Sequence, residues 1–288
     1  MDVVIRPLQE SDIPTIIEFT KNVWGGHDHL PKLIHSWLSD SDSHPMVMDY
    51  GDEVVAVANL RSVDDKLTGW MEGLRVHPDL REKGLAKLMT VKLVELASEK
   101  QFERIRLVTS ADNPAPQKLA QSVGMMAIDS FSVFWKRYGQ SVKWIKNNES
   151  ITSVSASQVK QFIHSNPILF PSTSLIYHWD VFDSTKSNID ALCERATFSI
   201  YEGEKGKGLT MGFVNEIPPE PEWCFSVYAS NTQVFKLLID FQLKQAREQG
   251  LRQLLCMHQP QYKSLYGEIR WLKTRSHELG LLLFERIL

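Results

Sequence analysis

A turn of basic and small residues separates an apolar run from a helical pattern in the first half of the chain. The apolar run is Trp70–Val76. The turn that follows reads Arg81-x-x-Gly84-x-Ala86, and apolar residues then recur at helical spacing. Such a turn presents unpaired backbone N–H groups beside the positive end of a helix dipole. The sequence therefore predicts a site for an anion, most simply a pyrophosphate.

A carboxylate interrupts the apolar run just before this turn. Alternation along a strand predicts that Glu72 shares one face with Leu74 and Val76. By the same alternation, Arg75 and His77 are expected on the opposite face. Partial burial is expected to raise the pKa of Glu72 toward the range of a general base. The alternative is a carboxylate that pairs with a nearby Arg or Lys and holds a loop.

Composition limits the class of protein. The 288 residues are 43% hydrophobic and carry a net charge of -3, which is typical of a globular protein with a packed core. With no long block of Lys or Arg, we expect no nucleic acid and no membrane as partner, but a small molecule or a peptide. The charged start and the lack of a long apolar stretch predict a cytoplasmic protein. Three widely spaced cysteines, Cys193, Cys224 and Cys256, are expected to be reduced thiols.

The predicted elements place the turn in a mixed α/β layer with one central crossover. Strands are predicted over residues 3–6, 46–50, 53–60, 70–76, 105–108, 125–128 and 131–135. Helices are predicted from Ile13, from Pro31, over 86–99 and from Asn113 to Gly124.

The second half of the chain repeats this order in weaker form. A strand over 222–228, a helix over 231–249 and a strand over 251–256 correspond to the elements around the first turn. The turn between them has no glycine, and close approach of a phosphate to the backbone favours glycine. We therefore expect domains over 1–138 and 156–288, a linker over 139–155, and no pyrophosphate site in the second domain.

The first half resembles the GNAT superfamily of N-acetyltransferases. Arg81, Gly84 and Ala86 match the acetyl-CoA loop Arg/Gln-x-x-Gly-x-Gly/Ala of that superfamily. Glu72-x-Leu74-x-Val76 resembles its fourth strand, and the segment from Asn113 to Met125 resembles its later helix. The segments Trp24–Trp37, Met71–Val76 and Gly280–Phe284 resemble its histidine N-acetyltransferase-like branch. The resemblance implies a tandem GNAT fold with an active N-terminal lobe and a degenerate C-terminal lobe.

The resemblance also implies the cofactor and the residues that hold it. Acetyl-CoA is the expected co-substrate. The pyrophosphate is expected at the backbone of the loop, and the pantetheine arm along the fourth strand. The implied cofactor-binding residues are Leu74, Arg75, Val76, Arg81, Lys83, Gly84, Leu85, Ala86 and Asn113.

The general acid is not assigned by the resemblance. Many relatives carry a tyrosine in the later helix at the position of Ala120. Ser122, Thr109 or Tyr138 could replace it, or the thiolate could leave without a dedicated acid. Glu72 is the implied general base.

The loop between the first two helices sits where relatives form the acceptor pocket. Its candidate substrate-binding residues are Trp24, His27, Asp28 and His29. Asp28 could receive an ammonium or an imidazole group. The spacing His-x-His with one aspartate is a loose metal signal, and we expect no metal. The alternative is local turn capping by Asp28.

These observations predict an acetyl-CoA-dependent N-acetyltransferase. The leading acceptor is the α-amine of free L-histidine or a similar amino acid. The alternatives are acetylation of a peptide N-terminus or another small amine, or an acyl-CoA sensor without catalysis. The sequence does not predict the oligomeric state.

Overall fold

The chain divides into two units. The first comprises Met1–Thr109, Asn113–Ala127 and Phe284–Leu288, and the second comprises Ser110–Asp112 and Ile128–Leu283. The computed structural model describes residues 3–26, 28–51, 53–139, 150–170, 172–216, 220–273 and 277–288.

The first unit alternates strands and helices in the predicted order. Its elements are β1 (Val3–Pro7), α1 (Ile13–Thr20), α2 (Leu30–Ser39), β2 (Ser43–Tyr50), β3 (Glu53–Val63), β4 (Thr68–Val76), α3 (Leu85–Glu99), β5 (Arg104–Ser110) and α4 (Pro114–Ser122). Strands β1 to β4 pair antiparallel in sequence order, and β5 pairs parallel with β4. Parallel neighbours need a crossover connection, and α3 provides it.

Helices α1 and α2 cover one face of this sheet. Their apolar residues pack with Val47 of β2 and Val57 of β3. At the start of α1, Asp12 accepts two hydrogen bonds from Arg6 of β1, and these hold the pKa of Asp12 below its ordinary value. Arg6 also donates to Asp49 of β2. One guanidinium therefore fixes the start of α1 against two strands.

The second unit contains a strand, a helix and a strand over Glu222–Ala229, Thr232–Glu248 and Gln253–His258, which confirms the predicted repeat. Before them, a hairpin separates the first two helices of the unit. Its elements are β6 (Met126–Arg137), β7 (Thr152–Ser153), α5 (Ala156–Ser165), β8 (Ser174–Tyr177), β9 (Asp180–Asp183), α6 (Lys186–Arg195), β10 (Thr197–Gly203), β11 (Gly206–Asn215), β12 (Glu222–Ala229), α7 (Thr232–Glu248), β13 (Gln253–His258) and β14 (His277–Ile287). The strand order within this unit is β14-β6-β13-β12-β11-β10-β7, and β12 and β13 are parallel. Strands β8 and β9 form a separate hairpin.

Strand β6 corrects one prediction. Two strands were expected, over 125–128 and 131–135, but residues 126–137 form one unbroken strand. The polar residues in its middle need no turn, because Asp129 accepts a hydrogen bond from the Ser172 hydroxyl at 2.5 Å.

The two units and the predicted domains overlap without coinciding. Residues 128–138 lie in the second unit, because 132–137 pair with 253–258 of its sheet. Residues 284–288 lie in the first unit. Most of the predicted linker, residues 140–149, lies outside the described residues.

The C-terminal residues 284–288 complete the first unit beside β5. The buried Arg106 of β5 donates to the Glu285 carboxylate at 2.7 Å. The Leu288 N–H donates to the Glu103 carbonyl at 2.9 Å. Arg286 donates to the Val123 carbonyl, just after α4, at 2.6 Å. Backbone and charge contacts therefore hold residues 284–288 in this unit.

Within the part of the chain that the structure describes, none of the helices combines the length and the apolar character needed to cross a membrane.

Candidate active site

A β-bulge interrupts β4 directly after Glu72. Glu72 lies opposite Asn59 of β3, whereas Arg75 lies opposite Val57. A step of three residues along β4 therefore matches a step of two residues along β3. Gly73 takes up the extra residue with a φ of +67°, in the left-handed region.

The bulge changes which side chains share a face. Residues directly opposite each other in a ladder point to the same side, and Asn59 and Val57 are two apart on β3. Glu72 and Arg75 consequently share a face. The predictions that Arg75 points away from Glu72 and that Val76 shares a face with Glu72 are both wrong, because strict alternation does not continue across a bulge. His77, just past the strand, contacts the Phe19 ring of α1 with centroids 5.6 Å apart.

Trp37 of α2 packs directly on the bulge. A Cβ atom at Gly73 would lie 2.2 Å from Cη2 of Trp37. The indole is 5% exposed, so Trp37 belongs to the core rather than to the wall of a pocket. Only a glycine fits beneath it.

Two neighbours on β3 hold the Glu72 carboxylate. Asn59 Nδ2 donates to Oε1 at 2.8 Å, and Arg61 Nη2 lies 3.2 Å from Oε2. Asn59 is fully buried, and its Oδ1 accepts from the His44 N–H at 3.0 Å. These contacts stabilise the ionised carboxylate and fix its direction. The Glu72 side chain is 23% exposed, so water reaches it.

Sequence analysis missed Asn59 and Arg61. A signal was present, since Asn59 is a polar residue inside the apolar run 54–60. Linking it to Glu72 requires the register of the hairpin, which depends on the bulge. The pairing with Arg61 is the contact foreseen in the alternative interpretation of Glu72.

Asp28 forms a buried ion pair with Arg75. Its carboxylate accepts from Arg75 Nε at 2.7 Å and Nη2 at 2.8 Å, and its side chain is 2% exposed. Oδ1 also accepts from the Leu30 N–H at the start of α2. Arg75 Nη1 donates to the Leu74 carbonyl in the bulge at 2.9 Å. This geometry favours the alternative in which Asp28 caps a turn, and it makes both residues positioning groups.

The structure says less about the other residues that were predicted to bind the acceptor substrate. His29 is exposed at the residue before α2. Trp24 lies in the backbone turn Val23–Gly26. His27 lies outside the described residues. Their predicted contacts with an acceptor stay predictions.

The predicted anion loop ends in an open helix start. Gly84 precedes α3 with a φ of +79°, and α3 begins without a side-chain cap. A Cβ atom at Gly84 would meet no atom within 4 Å, so the space beside this residue is open. Arg81 and Lys83 are exposed beside it. The first N–H groups of α3, at Leu85 and Ala86, are therefore a candidate place for an anion.

Strands β4 and β5 separate next to this helix start. Their parallel ladder pairs Thr68–Trp70 with Arg104–Arg106. Both strands continue beyond the ladder, to Val76 and Ser110. The separated part of β4 contains Leu74 and Val76, whose main-chain groups could bond an extended ligand as an added strand does.

Helix α4 offers no hydroxyl group at the position where many relatives carry a tyrosine, because that residue is Ala120. Ala120 there is fully buried. Asn113 is exposed and caps α4 by accepting from the Ala115 N–H at 3.4 Å. Ser122 donates to the Leu119 carbonyl. Tyr138 donates to the Leu251 carbonyl within the second unit.

In the second unit, side chains of the unit itself occupy the corresponding helix start and strand ends. The ladder of β12 and β13 pairs Glu222–Val227 with Gln253–His258, which is six residue pairs against three in the first unit. Beyond it, Ala229 is engaged by side chains: its N–H donates to Gln259 Oε1 at 2.9 Å, and its carbonyl accepts from the Tyr262 hydroxyl at 2.6 Å. Helix α7 is capped by Asn231, which accepts from two N–H groups.

Comparison with known proteins agrees with this geometry. Residues 13–125 match the model of the acetyltransferase (GNAT) family. A histidine N-acetyltransferase of Oreochromis niloticus is 24% identical over 205 residues, covering 65% of this chain and 61% of that protein. Probable N-acetyltransferase 16 of Homo sapiens is 34% identical over 80 residues, covering 28% of this chain and 22% of that protein. A tandem GNAT protein from the clavulanic acid biosynthesis pathway has a TM-score of 0.61 at 12% identity, covering 99% of this chain and 98% of its own.

Residues 13–125 are therefore similar to the GNAT acetyltransferase family, and the whole chain shares the mixed α/β fold of a tandem GNAT protein. The predicted resemblance and fold class are confirmed. The aligned regions span 61% and 22% of the lengths of the two relatives.

We expect Gly73→Ala to destabilise the first unit by roughly 3 kcal/mol, because the added Cβ combines a left-handed backbone with a collision against Trp37. Gly25→Ala is the matched control. Gly25 has a φ of +66° and no atom within 4 Å of an added Cβ, so we expect a cost of about 1 kcal/mol. Urea unfolding of the full chain measures both. Equal losses in the two variants would show that the packing of Trp37 is unimportant.

Proposed function

We propose that the first unit transfers an acetyl group from acetyl-CoA to the amine of a small acceptor. The observation that carries this proposal is the uncapped start of α3 at Gly84, which faces open space beside the separated strands β4 and β5. The second unit offers no comparable opening among its described residues. One active site per chain follows.

The residues of the loop fit the pyrophosphate of the cofactor. The N–H groups of Lys83, Gly84, Leu85 and Ala86 would bind its oxygens, and the exposed Arg81 would add positive charge. Leu74 and Val76 would offer main-chain groups to the pantetheine arm, with Arg75 between them and Asn113 near its other side. When bound, acetyl-CoA supplies a thioester carbonyl that an amine can attack.

Glu72 is the proposed general base. Its carboxylate is held by Asn59 and Arg61 and is partly open to water. An acceptor ammonium must lose a proton before its nitrogen can attack, and Glu72 would take that proton directly or through one water. An N–H group near Val76 would stabilise the negative charge that develops on the carbonyl oxygen.

The thiolate would leave without a dedicated tyrosine. Ala120 is buried where relatives carry that residue, and the Tyr138 hydroxyl is bonded in the second unit. A thiol is a fair leaving group, so solvent can supply the final proton. The same observation favours the second candidate function, an acyl-CoA sensor without turnover.

Free L-histidine is the proposed acceptor, with other small amino acids and peptide N-termini as competitors. The support is the match to a relative named histidine N-acetyltransferase. Asp28 acts here through Arg75 by fixing the bulge and the start of α2. His29 and the remainder of the loop 24–29 would then contact the acceptor.

We expect Gly84→Ala to weaken acetyl-CoA binding by about tenfold or more, because a Cβ would occupy the space that the pyrophosphate needs. Gly250→Ala is the matched control, with a φ of +73° and no atom within 4 Å of an added Cβ. Calorimetric titration of both full-length variants measures the dissociation constants. Unchanged binding in Gly84→Ala would remove the loop from the cofactor site.

We expect Glu72→Gln to lower kcat by about 10² to 10⁴, the usual contribution of a general base, with little change in acetyl-CoA binding. The low-pH limb of the kcat/KM profile should be lost as well, which a merely structural role would not cause. Glu18→Gln, an exposed carboxylate of α1, controls for the change in charge. Equal turnover in the Glu72 variant and the parent would exclude Glu72 as the base.

A panel of acceptors, read by the release of thiol, tests the substrate. Free L-histidine should give the highest kcat/KM among free amino acids and short peptides with matching N-termini. Activity on peptides alone would defeat the histidine proposal. Tight binding of acetyl-CoA without turnover on any amine would support the sensor instead.

A further inference from the structure

Three side chains of metal-ligating types meet in the second unit. His178 lies in the turn of the β8–β9 hairpin, and Glu222 and Cys224 lie at the start of β12. Their ligand atoms all lie within 4.8 Å of one another. The acetyl transfer proposed above uses none of these residues.

The fold brings these side chains together by strand alternation and by packing of the hairpin. Glu222 and Cys224 are two apart on β12, so they point to the same face. The residue between them, Trp223, donates to Gln242 of α7 on the other face at 2.8 Å. The hairpin is fixed over β12 because Ser226 donates to its Ile176 carbonyl at 2.5 Å. This packing places His178 next to Glu222 and Cys224.

The distances within the group are close to those between ligands of a tetrahedral metal ion. Cys224 Sγ lies 3.6 Å from Glu222 Oε1, and His178 Nε2 lies 4.0 Å from the same oxygen. Zinc bond lengths place a sulfur and an oxygen ligand about 3.6 Å apart, and a nitrogen and an oxygen ligand about 3.4 Å apart. The sulfur–oxygen distance therefore fits a tetrahedral ion, and the nitrogen–oxygen distance exceeds the expected value by about 0.6 Å.

Asn215 supports the group from β11. It lies directly opposite Glu222 in the ladder, and its Nδ2 donates to Glu222 Oε1 at 2.9 Å. Metal-binding carboxylates are commonly oriented by such a neighbouring donor. The Cys224 sulfur is buried, while the His178 and Glu222 side chains are 25% and 16% exposed. An ion could therefore enter from the solvent side.

We propose that His178 Nε2, Glu222 Oε1 and Cys224 Sγ bind one Zn²⁺ ion, with water or another external donor as the fourth ligand. Cys224 binds as the thiolate and gives its proton to solvent. The thiolate and the carboxylate then balance the two charges of the ion. A set of one nitrogen, one oxygen and one sulfur donor favours zinc over magnesium or calcium, which prefer oxygen ligands. The proposal replaces the sequence-based expectation of no metal.

Titration of the metal-free full chain with Co²⁺ tests this site, because a thiolate bound to Co²⁺ gives a sulfur-to-metal charge-transfer band. We expect one equivalent of Co²⁺ to produce the band and Zn²⁺ to abolish it. Cys224→Ser should eliminate the band. His178→Ala should weaken Co²⁺ binding by about tenfold or more.

Cys193→Ser is the matched control, since Cys193 is a half-buried thiol of α6 outside the group. It should keep the band, and circular dichroism checks that every variant is folded. A parent protein without the band would overturn the proposal. A band that persists in folded Cys224→Ser, or is lost in folded Cys193→Ser, would overturn it as well.

Discussion

The bulge at Gly73 is the constraint on which the candidate active site depends. It turns Glu72 and Arg75 to one face of β4, and it lets Trp37 rest directly on the backbone. Arg75 can then bind both the bulge and Asp28, which fixes the start of α2. The carboxylate, the neighbouring helix and the separated end of β4 are therefore set by one local departure from regular strand geometry.

The two units show how the same order of elements can have one open site and one closed site. In the first, a glycine precedes the crossover helix, and the parallel strands separate early. In the second, Asn231 occupies the helix start, and Gln259 and Tyr262 satisfy the backbone where the strands end. These side chains supply the hydrogen bonds that a ligand would otherwise make. The difference between the two units thus lies in which backbone groups already have hydrogen-bond partners, and not in the fold.

Local chemistry made much of the fold predictable. The helix start at Gly84 and the repeated order of elements follow from glycine, proline and apolar spacing, which act over a few residues. The pairs of Glu72 with Arg61 and of Asp28 with Arg75 were not predictable in this way. The first requires a register that the bulge alters, and the second joins residues 47 positions apart. The placement of residues 284–288 in the first unit depends on strand pairing across most of the chain. No pattern of neighbouring residues in the sequence indicates it.

Because residues 284–288 belong to the first unit, the folding of that unit depends on the order in which the chain is synthesised. During translation, residues 1–127 emerge long before residues 284–288, so the sheet beside β5 lacks its last neighbour for most of that time. Arg106 must meanwhile remain without the Glu285 carboxylate that it binds in the finished structure. Domains usually fold as they leave the ribosome, from the N-terminus onward. Here the first unit reaches its final form only after residues 284–288 have been made, so a chain that stops before them lacks the strand that lies beside β5.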